Sequence, residues 1–236
     1  MTDVTATLVP LSDKLYKHLT HFTEAYLIGP KKFCFPKNGP LIVANIQHFK
    51  ARDDDVCVVT FPKTGTTWMQ EIVYLLSINL DFERAKSNIR ETVLPYVDIN
   101  VWEEPLDDFI EFTNNLPSPR LLKFHLCYSL LPPDVKKRCK DQEKVIKEVA
   151  AFLNLPVDKE GIKQIANHCK FDNMKHNTTV NKSDWDEMLY QKEFKFMRKG
   201  IVGNWRTEMS PELITKIDKW IFDQTIDTPD LRDILY

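Results

Sequence analysis

Val56-Cys57-Val58-Val59-Thr60-Phe61 is a continuous, largely apolar run rich in β-branched residues and preceded by Asp53-Asp54-Asp55. A run of this length and type predicts a strand buried on both faces of a parallel sheet. Pro62-Lys63-Thr64-Gly65-Thr66-Thr67 follows. From Trp68 to Ser77 the apolar residues Met69, Ile72, Val73 and Leu76 then recur at helical spacing. The unit is strand, tight loop, helix. A second strand is predicted from Arg120 to Leu126, introduced by Pro117-Ser118-Pro119 and followed by a loop from Tyr128 to Pro133, with His125 near its C-terminal end.

Later segments read as helices. Val145, Ile146, Val149, Ala150 and Leu153 mark one, and Ile162, Ile165, Ala166 and Cys169 mark another after Asp158. Ser210 as N-cap with Pro211 at the first helical position opens a third, with Leu213, Ile217, Trp220 and Ile221 on one face. From Leu27 to Leu41, glycines and prolines among short apolar pieces predict short strands and turns. The fold class is α/β. Two buried strands are few, since a sheet typically has about five or six. A charged run, Lys136 to Lys144, stands where a doubly wound sheet would continue.

Composition narrows the setting. A chain of 236 residues suits a single domain over 1–236 with a substantial core. With 43% apolar and 28% charged residues and a net charge of -2, it has neither the excess of basic charge of a nucleic-acid-coating protein nor a membrane-spanning run. The segment Met1 to Lys17 lacks the pattern of a secretory leader. Five widely spaced cysteines without a CxxC pair suggest neither disulfides nor zinc, so a cytoplasmic location is expected. His18 and His21, on an expected N-terminal helix, lack a third metal ligand. No metal is expected.

The loop after the first strand carries the clearest chemistry. A loop between a buried strand and a helix start presents unpaired N–H groups and the positive end of the helix dipole to an anion. Gly65 lets the backbone approach, Thr64, Thr66 and Thr67 add hydroxyls, and Lys63 adds charge. A P-loop NTPase has its lysine after the last glycine of two. Here Lys63 precedes the only one, which disfavours an ATP site and a nucleotide-kinase reading. A threonine-rich turn that merely caps a helix is the plainer alternative.

The stretch Thr60-Phe61-Pro62-Lys63-Thr64-Gly65-Thr66-Thr67-Trp68 closely resembles the loop with which cytosolic sulfotransferases hold the 5'-phosphosulfate of PAPS. A second signature of that family, RKGxxGDWK, is similar to Arg198-Lys199-Gly200-Ile201-Val202-Gly203-Asn204-Trp205-Arg206, with Asn204 for Asp and Arg206 for Lys. Lys123-Phe124-His125-Leu126 resembles its KTHLP segment. The resemblance implies a P-loop-like parallel sheet flanked by helices and PAPS as co-substrate, leaving adenosine 3',5'-bisphosphate. It implies His125, Lys63 and Lys123 as catalytic. It places Lys63, Thr64, Gly65, Thr66, Thr67 and Trp68 on the 5' end of the donor. Phe171, with Trp68, would sandwich adenine, with Cys169 and Met174 beside it. Phe196, Met197, Arg198, Lys199 and Gly200 would hold the 3'-phosphate. Apart from the resemblance, Phe171 and Trp68 would read as core, His125 as a packed strand-end histidine, and Arg198-Lys199-Gly200 as a solvated turn.

The resemblance runs from about Tyr26 to Tyr236 but breaks between Cys139 and Glu143, where several dozen family residues are absent. In relatives these carry a strand, the Arg and Ser that also bind the 3'-phosphate, a helix, and another strand followed by a Tyr near adenine. The sheet is therefore expected to be incomplete, with exposed apolar edges. Losing one or two charge-assisted bonds of about 1.5–3 kcal/mol each would weaken donor binding tenfold or more. The implied function is sulfuryl transfer from PAPS to a hydroxyl or amine of a small acceptor. The alternative is a catalytically impaired relative with an internal deletion, arising as a splice form or an incomplete gene model. Phe22, Phe33, Tyr96 and Trp102 are candidate acceptor-pocket residues, although core packing explains such residues more often. The family's dimerisation stretch is poorly matched at Arg206, Pro211 and Thr215, which leaves homodimerisation open.

Overall fold

The computed structural model describes residues 6–10, 24–29, 32–36, 38–98, 106–126, 145–183, 195–201, 204–224 and 226. The chain divides into two units, Met1–Arg198 and Lys199–Tyr236. The expected N-terminal helix with His18 and His21, the candidates Phe22 and Trp102, and the charged run from Lys136 to Lys144 lie outside the described residues.

In the first unit, β1 (Ala6–Pro10), β2 (Glu24–Ile28) and β3 (Phe33–Pro36) form an antiparallel sheet in that order, with Ala6 opposite Ile28 and Ile28 opposite Phe33. Gly39–Ile46 forms helix α1, whose first residues, to Leu41, lie where short strands and turns were expected. Pro40 falls in its first turn, where a missing N–H costs nothing. Gly39 is required by contact, since a Cβ there would sit 2.2 Å from Cβ of Phe35. Ile42, Val43 and Ile46 point inward.

Strand β4 (Val56–Val59) runs parallel to β5 (Leu121–Phe124), from Val56 opposite Leu121 to Val59 opposite Phe124. The ladder extends one residue further, because Thr60 N–H donates to the Phe124 carbonyl at 3.1 Å. Phe61, expected to close the strand, is 66% exposed. On the far side of β5, Lys123 N–H donates to Pro95 and Val97 N–H donates back to Lys123, each at 2.9 Å, so the Tyr96 segment supplies a third parallel contact. All four β5 residues are buried, whereas in β4 only Val58 is. Among the described residues β4 has no strand on its other edge. The parallel sheet is thus short, as the count of buried runs implied.

Helix α2 (Thr66–Ser77) leaves the β4 loop and is followed by α3 (Phe82–Ser87), α4 (Arg90–Val93) and α5 (Leu106–Asn115). Past β5 come α6 (Val145–Phe152), α7 (Lys159–His168) and α8 (Phe171–His176). Asp158 caps α7 as expected, its carboxylate accepting the Gly161 N–H at 2.7 Å. Successive β5 residues feed opposite cores. Leu121 joins Val58, Ile72, Leu75, Ile146 and Ile165, while Leu122 and Phe124 join Ile28, Val43, Ile46 and Phe49. Two ion pairs are buried within this frame, Arg90–Glu71 at 2.7 Å and Arg120–Asp55 at 2.6 Å. His168 also meets Glu71, at 2.8 Å.

The second unit contains α9 (Trp205–Glu208) and α10 (Pro211–Gln224). Ser210 caps α10 as its sequence implied, accepting the Leu213 N–H at 3.2 Å.

Candidate active site

The loop after β4 is open to solvent from Phe61 to Gly65. Two of its residues turn left-handed, Lys63 at φ +66° and Gly65 at φ +99°. Gly65 is the N-cap of α2 and supplies no side chain to its amides, and the first helical bond runs from Met69 N–H to the Gly65 carbonyl at 3.1 Å. The N–H groups from Gly65 to Trp68 therefore precede the helix ladder, at the positive end of its dipole. Space beyond Gly65 is open, with no atom within 4 Å of where a Cβ would stand. Thr64 Oγ1 donates to the Phe61 carbonyl at 2.7 Å, tightening the turn. Thr66 and Thr67 have buried side chains, and the Thr66 hydroxyl lies 2.5 Å from that of Thr60.

The 195–198 segment meets this loop. Lys63 Nζ donates to the Phe196 carbonyl at 2.8 Å and stands 3.8 Å from the centre of the Phe196 ring. Arg198, two residues on, is exposed. Trp68 and Met197 pack half-buried on the core cluster that contains Cys169 and Met174. Burial, with the Glu71 carboxylate adding to it, pushes the Cys169 thiol up to about 12, so it stays neutral. Phe171 opens α8 half-buried and outside that cluster. Lys199 and Gly200 belong to the second unit, where Lys199 pairs with Glu208 at 2.5 Å and Gly200 takes φ +63°. Phe33 packs against the core beside Ile28 and Phe49, as the plainer reading of it expected.

His125 follows β5 directly, half-buried beside the end of β4. Its Nδ1 lies 2.8 Å from the Thr60 carbonyl and 3.2 Å from the Thr60 hydroxyl. A carbonyl only accepts, so Nδ1 carries the proton and Nε2 keeps the lone pair. Burial lowers the His125 pKa to about 4, against the Thr60 carbonyl that raises it, and the Lys123 charge lowers it further. The Tyr96 ring meets the imidazole edge-on at 4.8 Å between centres and lies 4.0 Å from Lys123 Nζ. Lys123 is almost fully buried, which lowers its ammonium pKa to about 8 against the pull of Asp98.

Two residues of this cluster carried no role in the sequence. Thr60 stood there only as part of a loop signature, yet it joins the α2 start to His125. Asp98 is a single carboxylate in an unremarkable Tyr-Val-Asp stretch, and it reaches His125 through the fold alone. Its Oδ2 accepts the His125 N–H at 2.6 Å and also the Leu126 N–H.

A loop of helix-start amides can bind an anion, and a neutral imidazole linked to it through Thr60 can accept a proton. The sulfotransferase-domain model matches residues 53–141 and 139–229. The chain belongs to the sulfotransferase family. It is similar to luciferin sulfotransferase of Photinus pyralis, 25% identical over 290 residues that cover 84% of this chain and 78% of that one. It is also similar to sulfotransferase 1E1 of Bos taurus, 26% identical over 250 residues that cover 74% and 84%. Both alignments are longer than the 236-residue chain, so these relatives carry residues with no counterpart here, and the two family matches abut at 139–141. The fold is shared with a crystal structure of retinol dehydratase, at a TM-score of 0.74 and 21% identity, covering 94% of this chain and 97% of that one. Among the described residues no helix is long and apolar enough to cross a membrane.

Proposed function

We propose that this chain, acting as one domain over residues 1–236 in the cytoplasm, transfers a sulfuryl group from PAPS to a hydroxyl or amine of a small acceptor. The observation that carries this reading is the junction at Thr60. The base nitrogen of His125 and the anion-seeking amides of α2 sit at the ends of two neighbouring parallel strands, linked through one threonine.

In this reading the amides from Gly65 to Trp68 with the Thr66 and Thr67 hydroxyls receive the 5' end of the donor, and Arg198 its 3'-phosphate. Trp68, Cys169, Phe171 and Met174 meet the adenine, and Phe196 and Met197 stand with Arg198 on the side of the 3'-phosphate. Nε2 of His125 takes the proton of the acceptor hydroxyl as its oxygen bonds to sulfur. The bond from sulfur to the bridging phosphate oxygen breaks, and adenosine 3',5'-bisphosphate leaves with that electron pair. Lys63 offsets charge on the leaving phosphate, and Lys123 on the sulfuryl oxygens. Support for donor and acceptor class comes from the retinol dehydratase complex, which holds androsterone and PAP. Tyr96, whose ring meets the His125 imidazole, is the described aromatic proposed for the acceptor side.

A second reading, donor binding without turnover, is favoured by the edge of β4 that has no strand partner among the described residues and by the relatives' additional residues. One experiment separates the two. Purified chain is titrated with adenosine 3',5'-bisphosphate while tryptophan fluorescence is followed, and labelled sulfuryl transfer from PAPS to phenols, steroids and aliphatic alcohols is compared with His125→Ala. Binding with His125-dependent transfer supports the first reading. Binding without transfer supports the second, and no binding removes both.

A further inference from the structure

β5 ends at Phe124, and the two amides that follow have left the sheet. Its β4 side closes with the Thr60 N–H on the Phe124 carbonyl, and its other side closes at Lys123. A buried N–H without an acceptor is costly, about 1–3 kcal/mol. Here both amides, from His125 and Leu126, turn onto the same oxygen of one carboxylate, Oδ2 of Asp98. Asp98 comes from the segment that pairs with β5 through Tyr96, so the sheet itself delivers it. It is 1% exposed, and its other oxygen, Oδ1, accepts no hydrogen bond among the described residues. A fully buried carboxylate is an expensive way to satisfy two amides, because a neutral side chain would avoid most of its desolvation. The charge that balances it electrostatically is Lys123.

We infer that Asp98 is a positioning residue for His125, holding the peptide from which the imidazole projects so that Nδ1 stays on the Thr60 carbonyl and Nε2 stays free. The inference rests on His125 being the base of the proposed reaction, but it concerns the ring's orientation and is testable without turnover. Two anchors act at once. Asp98 fixes the backbone at Oδ2, and Thr60 fixes the ring at 2.8 Å. Removing the first leaves the second to hold a strand end with two unpaired amides.

The test uses the full chain labelled with ¹⁵N-histidine, with the His125 signals assigned by their loss in His125→Ala. Wild type should show one neutral tautomer, protonated at Nδ1, and its His125 and Leu126 amides should exchange with solvent as slowly as those of β5. Asp98→Ala should mix the two tautomers and lower kcat about tenfold or more, the usual scale for a slightly misplaced catalytic group. Donor KM should stay within about twofold, because Asp98 is not part of the donor seat. Asp98→Asn, which keeps an acceptor oxygen, should recover most of the loss. Wild-type amides that exchange like those of an open loop would overturn the inference. So would an Asp98→Ala ring that keeps its single tautomer, or an Asn variant no better than Ala. If wild type transfers no sulfuryl group, the proposed reaction fails while the ring signals still decide the role of Asp98.

Discussion

His125 and Thr60 are joined through Nδ1 and a backbone carbonyl 2.8 Å apart, and that contact decides which imidazole nitrogen can accept a proton. Burial lowers the pKa of this ring to about 4. A base that works unprotonated stays competent well below the usual histidine range. The acid limb of kcat/KM should therefore fall near pH 4 and not near 6.5. Lys123, lowered to about 8 by its burial, must keep its proton to act as a cation, so the basic limb should fall near pH 8. His125→Ala should lower kcat by about 10²–10⁴-fold. An acid limb near 6.5 would remove the buried, carbonyl-tethered histidine from the reaction.

Lys63→Met tests the junction of the loop with the 195–198 segment. Lys63 is exposed and donates to the Phe196 carbonyl. Its loss should leave the denaturation midpoint nearly unchanged while weakening adenosine 3',5'-bisphosphate binding about tenfold or more, the scale of one charge-assisted bond. Isothermal titration gives the affinity directly.

Gly65→Ala separates backbone strain from crowding. A Cβ at Gly65 meets nothing within 4 Å, so the cost comes from its φ of +99° alone. A loss of about 1–2 kcal/mol in urea denaturation is expected, together with weaker nucleotide binding as the helix start shifts.

Glu71→Ala addresses the core. Arg90 and Glu71 are 1% and 0% exposed, and without its partner the guanidinium would be buried beside His168 with no counter-charge. A loss of about 3–5 kcal/mol is expected, and Glu71→Gln, which keeps an acceptor, should lose less. Equilibrium unfolding in guanidinium chloride measures both.

Stability should also respond to pH through two groups shifted in opposite directions. Burial raises the Asp98 carboxyl from 3.8 to about 7, so its contribution is complete below about 3.8 and is lost as pH rises through about 7. The His125 contribution has the other sign. With its pKa lowered from 6.5 to about 4, it is present above 6.5 and is lost as pH falls through about 4. Asp98→Asn should remove the falling component, so that stability in the variant rises with pH between about 4 and 6.5, and a profile identical to that of wild type would assign the pH response to other groups.

The local strand-loop-helix unit was legible because its parts are contiguous. The apolar run of β4, the loop and the α2 periodicity announce one another within about twenty residues. The caps at Asp158 and Ser210 were legible for the same reason, each being a polar side chain just before its helix. Of the antiparallel sheet only β3 and the end of β2 fell in the stretch read as short strands and turns, and β1 went unread, because registers such as Ala6 with Ile28 depend on pairing between distant, short segments. The start of helix α1, Gly39 to Leu41, was read with the short strands and turns because glycine and proline also begin helices. Asp98 was illegible for a stronger reason. Nothing about one aspartate among apolar neighbours announces that it will lie beneath the peptide of His125, 27 positions away.

The contact between Lys63 and Phe196 spans 133 positions of the chain. During synthesis the lysine emerges from the ribosome long before its carbonyl partner exists. Until the ribosome has passed Phe196, the nascent protein can form the β4 turn but cannot make this contact. A chain cut short before that point would lack the carbonyl and the ring that hold Lys63, however well its first half folded.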